Sequence, residues 1–204
     1  MNKTLSGTLT VLCVALAVVL LGTVSVAQDV YQVNYYANAN IGYAPDATVY
    51  IDNPGYGPQP TGYGYLCAMV YVFTYDQQMA ECCGCSESPN DLNTLSVDYD
   101  LTSNPLTSTI PVTGVIKIVS APYPGFCDPT SPYVPTPDLR AWATHVQSSG
   151  PYAITETPFL DAPLSGAELS ALQSQCAFIG ILGSGHGLCS CGNEARPAQR
   201  KSKK

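Results

Sequence analysis

Three cysteines fall within four residues, Cys82, Cys83 and Cys85, and two more, Cys189 and Cys191, flank a single serine near the other end of the chain. With Cys67, Cys127 and Cys176 they make eight, and only Cys13 of the nine cysteines stands outside the set. An even number in an exported chain reads as a disulfide framework. Eight cysteines allow on the order of a hundred connectivities, so spacing alone does not give the map. Cys82 and Cys83 are neighbours and are expected to reach different partners. Cys189 and Cys191 are too close for an easy mutual bond. The expected picture links the Cys82-Cys83-Gly84-Cys85 cluster to the Cys189-Ser190-Cys191 segment, each long-range bond stabilising by roughly 2–4 kcal/mol.

The compartment follows from residues 1–27. Lys3 is followed by an uncharged stretch from Leu5 to Val24, almost continuously apolar between Val11 and Leu21, and then by Ser25-Val26-Ala27. This is the order of a cleavable signal peptide, with cleavage expected near Ala27. The rival reading is a membrane anchor, which needs roughly 20 apolar residues. Ser6, Gly7, Thr8 and Thr10 dilute the front of the stretch, and no positive cluster follows it. No stable membrane span is therefore expected after cleavage. Cys13 follows Leu12, where a lipoprotein signal wants a small residue, and is discarded with the leader.

Charge is uneven. Between Gln28 and Ala195 two basic residues, Lys117 and Arg140, stand against all fifteen acidic ones, a net charge of −13. Such a body repels nucleic acid and anionic surfaces. Arg196, Arg200, Lys201, Lys203 and Lys204 crowd the end of the chain. Residues 194–204 read as a disordered basic tail, because a charge run has nothing to bury. Removing the leader from the 204 residues leaves roughly 177, which suits a single domain over residues 28–193.

Glycine and proline recur throughout and exclude long helices from most of the chain. Asp29 to Asn38 is polar and aromatic, a candidate first strand. Ala47 to Asp52 is β-rich and stops at Asn53-Pro54-Gly55, a strong turn signal. Tyr65 to Tyr75 is apolar on both alternating faces and is expected to be a central strand covered on both sides. Leu95 to Leu101 reads as a shorter strand. Val115 to Val119 alternates through Lys117, which suggests a strand bordering solvent. Short strands between turn signals indicate a mainly β fold, an antiparallel sandwich immunoglobulin-like in general architecture, with α+β as the alternative. Two short helices are expected after it. Near 137–147, Thr136-Pro137 opens a segment with Leu139, Trp142 and Val146 on one stripe. Near 166–182, Ser165 and Glu168 form a capping box, Leu164 and Leu169 a hydrophobic staple, and Gly183 a stop. Leu169, Leu172, Cys176 and Ile179 share one face there, so Cys176 is placed to pin this helix to the sheet.

Several segments together resemble a known group. They are Leu66-Cys-Ala-Met-Val-Tyr-Val-Phe, Glu81-Cys-Cys-Gly-Cys, Leu95-Ser-Val, Leu101-Thr-Ser-Asn-Pro-Leu, Gly114-Val-Ile-Lys-Ile, Leu139-Arg-Ala-Trp-Ala-Thr-His, Gln173-Ser-Gln-Cys-Ala-Phe-Ile and Gly187-Leu-Cys-Ser-Cys-Gly. In this order they are similar to uncharacterised exported cysteine-rich proteins of acidobacteria. The resemblance covers most of the mature chain and implies bacterial origin; it assigns no activity.

Four constellations of residues could carry chemistry. Cys82, Cys83, Cys85, His186, Cys189 and Cys191 are the alternative metal set, with thiolates for zinc or copper. Their spacing is not a paired Cys-x-x-Cys motif, and in an oxidising compartment disulfides are the stronger reading. A cysteine nucleophile beside His145 or His186 needs a free thiol that an even count does not leave. Gly183-Ser184-Gly185-His186-Gly187 is close to the Gly-x-Ser-x-Gly pattern but out of register, and reads as a helix-ending loop. Asp98 and Asp100 would share one strand face, as solvated charges or as a calcium or acid–base pair. Arg140, Trp142 and His145 form a further candidate ligand edge. No catalytic residue and no cofactor is expected. The function expected is an exported, non-catalytic structural, adhesive or binding protein of the cell envelope or exterior, bacterial in origin. A protein or a carbohydrate of the cell surface is its expected partner, and tyrosine, ten of whose fourteen copies precede Asp76, suits either. The alternative is a small secreted hydrolase or a metal-binding protein using the cysteine and His186 clusters.

Overall fold

A computed structural model describes residues 29–55, 64–107, 109–147 and 151–192. The leader, Cys13 and the basic tail lie outside the described residues. The described elements are β1 (Asp29–Tyr36), β2 (Thr48–Asn53), β3 (Leu66–Thr74), β4 (Met79–Glu87), β5 (Asp91–Ser96), β6 (Gly114–Pro122), β7 (Arg140–Gln147), β8 (Ala153–Pro158), β9 (Leu160–Pro163) and one helix, α1 (Gly166–Leu182). The strands make two antiparallel sheets, ordered β4-β3-β6-β1-β9 and β5-β2-β7-β8. Leu66, Ala68, Val70, Val72, Ile116 and Ile118 from the first meet Val49, Ile51, Leu95, Ala141 and Ala143 from the second in one core. Two sheets burying their inner faces against each other form the expected sandwich.

β3 is buried along both alternating faces. Its other side, through Cys67, Met69 and Tyr71, builds a second cluster with Leu172, Cys176 and Ile179 of α1. The helix starts where the cap motif places it. Ser165 Oγ accepts a hydrogen bond from the Glu168 backbone N–H at 3.1 Å. The Glu168 carboxylate is taken instead by an ion pair with Lys117 of β6. Lys117 also lies over the rings of Tyr31 and Phe73, 5.6 and 5.3 Å from their centroids. β6 runs inside its sheet, between β3 and β1, and the Lys117 side chain on its outer face is 23% exposed. Gly183 ends α1 in the left-handed region, φ 62°. Replacing Ser165 with alanine removes the acceptor for an otherwise unpaired N–H and is expected to cost roughly 1 kcal/mol in denaturant unfolding.

The structure corrects two sequence expectations. Residues 137–147 are not a helix. Arg140–Gln147 is β7, held between β2 and β8. Leu139, Ala141, Ala143 and His145 alternate inward along it, and the small alanines hide this period behind the Leu139, Trp142, Val146 stripe. Leu95–Leu101 is not one strand: β5 ends at Ser96 and Val97–Leu101 turns as a short π-helix. Asp98 and Asp100 consequently share no strand face. Asp100 is buried, accepting from the Ser96 N–H and the Ser190 hydroxyl, both at 2.7 Å. Asp98 accepts from the Asn40 N–H at 2.9 Å.

Candidate functional site

β4 stands at the edge of its sheet, and its alternation sends its cysteines two ways. Cys82 faces α1 and bonds Cys176, while Cys83 and Cys85 bond Cys189 and Cys191, with Cα–Cα distances of 5.9, 5.2 and 5.4 Å. Cys67 of β3 bonds Cys127 at 5.5 Å. The segment after α1 is laid against the edge of β4. The Cys82 N–H donates to the Gly187 carbonyl at 2.9 Å, and the Cys189 N–H donates to the Cys82 carbonyl at 3.2 Å. The Sγ atoms of Cys83, Cys85 and Cys191 lie within 4.8 Å of one another. They belong to two disulfides, however, and a metal ligand must be a thiolate. Of the proposed metal set, Cys83, Cys85 and Cys191 are thus brought together, as sulfur already bonded to sulfur, while Cys82 is bonded to Cys176 on the side of α1.

Both histidines are turned elsewhere. His186 is exposed and donates from Nδ1 to Asn104 Oδ1 at 2.9 Å. Asn104 also donates from Nδ2 to the carbonyls of Gly185 and Leu188, at 2.9 and 3.1 Å, and so clamps the glycine loop. Ser184 Oγ accepts from the His186 N–H within that loop. His145 is buried, stacked on Tyr35 at 4.1 Å, with Nε2 2.6 Å from Thr157 Oγ1 and Nδ1 without a partner. Burial pushes its pKa down. Arg140 Nη1 is held by the carbonyls of Pro137 and Leu139, both at 2.8 Å. Trp142 faces outward and stacks on Tyr50, directly opposite on β2, at 5.4 Å and 17°. Arg140, Trp142 and His145 do not converge: residues 140 and 142 point to one face of β7, and 145 points to the other.

The chemistry that does converge is a cleft of about 420 Å³ along the edge of β4. Tyr65, Tyr123 and Phe126 form its aromatic wall, and Ser86, Ser88, Asp91 and Asn93 its polar side. Cys127 and Cys191, each in a disulfide, stand at its margins. Tyr65 and Tyr123 meet at 5.8 Å with rings tilted 39°, and the Tyr123 hydroxyl donates to the Gly125 carbonyl at 2.6 Å. Asp91 Oδ2 accepts from the Ser88 N–H and hydroxyl at 3.3 and 3.1 Å, which fixes the start of β5. Asn93 is 1% exposed. Its Nδ2 donates to Glu87 Oε1 at 3.1 Å, and its Oδ1 has no hydrogen-bond partner. Burial pushes the Glu87 carboxyl up to about 7, Asn93 opposing this by its hydrogen bond.

Gly84 makes the cleft possible. The Cys127 backbone crosses directly over it, and a Cβ at residue 84 would overlap the Cys127 carbonyl. The glycine inside Cys83-Gly84-Cys85 is therefore a crossing point, and its residue type alone was the signal. Phe126, beside the buried Cys127, is 73% exposed, which no sequence pattern disclosed. Comparison with known proteins adds no relative to this picture. No protein-family model, curated protein or solved structure matches the chain.

Proposed function

We propose that the chain is an exported, non-catalytic binding protein of the cell envelope or exterior, whose ligand enters the cleft beside β4. The observation that carries the reading is the cleft itself, in which aromatic faces and polar groups converge on a frame closed by covalent bonds. Small-ligand sites are commonly pre-formed clefts of roughly 300–1,000 Å³ that combine aromatic walls with a few polar groups. Preorganisation lowers the cost of binding, and two disulfides at the cleft margins supply it. Four disulfides place the folded protein in an oxidising environment. No helix of the described residues is long and apolar enough to cross a membrane. The leader over 1–27 supports export as the route to that environment.

Mass spectrometry of the protein recovered by cell fractionation checks export, and the expected N-terminus is Gln28. Thiol titration of the same sample is expected to find none before reduction and eight after it, one for each cysteine in the four disulfides. Recovery from the membrane fraction with Met1 in place, and nine thiols after reduction, would overturn the reading of the leader.

A further inference from the structure

Resting on that reading of the cleft, we propose that its ligand is an uncharged carbohydrate, one pyranose ring of which stacks on the Tyr65, Tyr123 and Phe126 wall while its hydroxyls bond Asn93, Asp91 and Ser86. The wall is the first argument. The face of an aromatic ring is electronegative and its edge electropositive. The axial C–H groups of a pyranose, made electropositive by neighbouring oxygens, suit such a face. Tyr65 and Phe126 are 43% and 73% exposed, so ring surface is available without rearranging the core.

The second argument is the balance of donors and acceptors. Asn93 Oδ1 is an acceptor with no partner, on a side chain already removed from water. An unpaired buried acceptor costs roughly 1–3 kcal/mol, and a ligand that donates to it recovers that cost. The Asp91 carboxylate beside it also only accepts. The Ser86 hydroxyl can donate or accept, and the Ser88 hydroxyl, which donates to Asp91, still accepts. Two acceptors, one two-way hydroxyl and one accepting hydroxyl match a polyol, whose hydroxyls donate and accept from adjacent carbons. A phosphate or carboxylate ligand would need donors that this side of the cleft does not supply. The net charge of −13 between residues 28 and 195 acts in the same sense against anionic sugars.

The test uses the mature, oxidised protein on an array holding neutral glycans, uronate or sulfated glycans and a peptide library. Hits are followed by calorimetry with the free neutral oligosaccharide. Binding to neutral glycans is expected, with at least a tenfold loss in Phe126→Ala and in Asp91→Asn. Phe126 is exposed and Asp91→Asn keeps an oxygen acceptor for Ser88, and circular dichroism melting is to show both variants folded. Because Asn93 is buried, Asn93→Ala is read by ring-proton shifts of Tyr65 and Tyr123 on titration with the oligosaccharide, which are expected to vanish. Glycan binding that survives Phe126→Ala, or preference for the anionic glycans, overturns the assignment. Peptide binding that Phe126→Ala abolishes, with no glycan signal, overturns the carbohydrate and leaves the binding cleft standing. Silence on every array surface sinks both.

Discussion

Replacing Cys83, Cys85, Cys189 and Cys191 together with alanine is expected to lower stability by about 5 kcal/mol, while removing either of the two bonds alone lowers it by only about 2 kcal/mol. The two disulfides run in parallel between β4 and the segment after α1, each spanning 106 residues. Sequence separation suggests two large and equal contributions. The connectivity forbids that. Once Cys83–Cys189 is closed, Cys85–Cys191 constrains only a ring of a few residues, and a small ring restricts the unfolded chain little. The Cys82–Cys176 bond, next to Cys83, has in turn shortened the loop that the first of the pair must close. Losing both frees the whole segment from Cys176 to Cys191, so the double loss exceeds the sum of the singles by about 1 kcal/mol. Guanidinium unfolding of the two single-bond variants and the four-alanine variant checks this. A single-bond variant as unstable as the four-alanine variant would refute it. A stability of 5–15 kcal/mol is ordinary for a domain, so the pair holds a large share, and the cleft that Cys191 borders is expected to lose its shape with it.

The parts of the fold that the sequence disclosed were those in which one residue pattern serves one purpose. β3 was legible because both of its alternating faces are apolar, and both are covered. α1 was legible from Ser165 and Gly183, whose roles are local. β4 was not legible as a strand. Its residues are Met79-Ala80-Glu81-Cys82-Cys83-Gly84-Cys85-Ser86-Glu87, without a β-branched side chain, and two of those that face inward are glutamates. Disulfides hold it where propensity would not. β7 was misread because alanines carry its inward face and a wider stripe fits a helical period as well. The cleft was hidden for a different reason. Its groups come from the residue before β3, from β4, from the start of β5, from the loop at residues 123–127 and from Cys191, and the Cys67–Cys127 and Cys85–Cys191 bonds and the crossing at Gly84 bring them together.

Stability is also expected to fall by roughly 6 kcal/mol as pH rises from about 4.5 to above 7, the opposite of the usual carboxylate trend. Glu81 and Glu87 of β4 are fully buried. Glu81 Oε1 accepts from the Asn104 N–H at 2.7 Å, and Glu87 Oε1 accepts from Asn93 at 3.1 Å. The second oxygen of each is buried without a partner. Burial pushes both carboxyls up from 4.5 to about 7. Below pH 4.5 they are protonated folded and unfolded alike, and the folded state has no charge to bury. Between 4.5 and 7 the folded chain binds more protons than the unfolded one, so each further rise in pH favours unfolding. Above 7 both states are ionised and the loss levels off. Each group contributes roughly 3 kcal/mol to the fall. Burial raises Asp98 as well, in the same sense. His145 works the other way: its lowered pKa makes the unfolded chain the stronger proton binder below 6.5, so its contribution is lost on acidification. Stability should therefore peak on the acid side of neutrality. Denaturant unfolding at pH 5, 6, 7 and 8 measures the slope. The Glu81→Gln, Glu87→Gln double variant keeps an acceptor for Asn104 and Asn93 but carries no charge, so its stability should stay nearly flat from pH 6 to 8. A wild-type protein as stable at pH 8 as at pH 5 would show that these carboxylates find donors or water when ionised, and the buried position of β4 would then have to be revised.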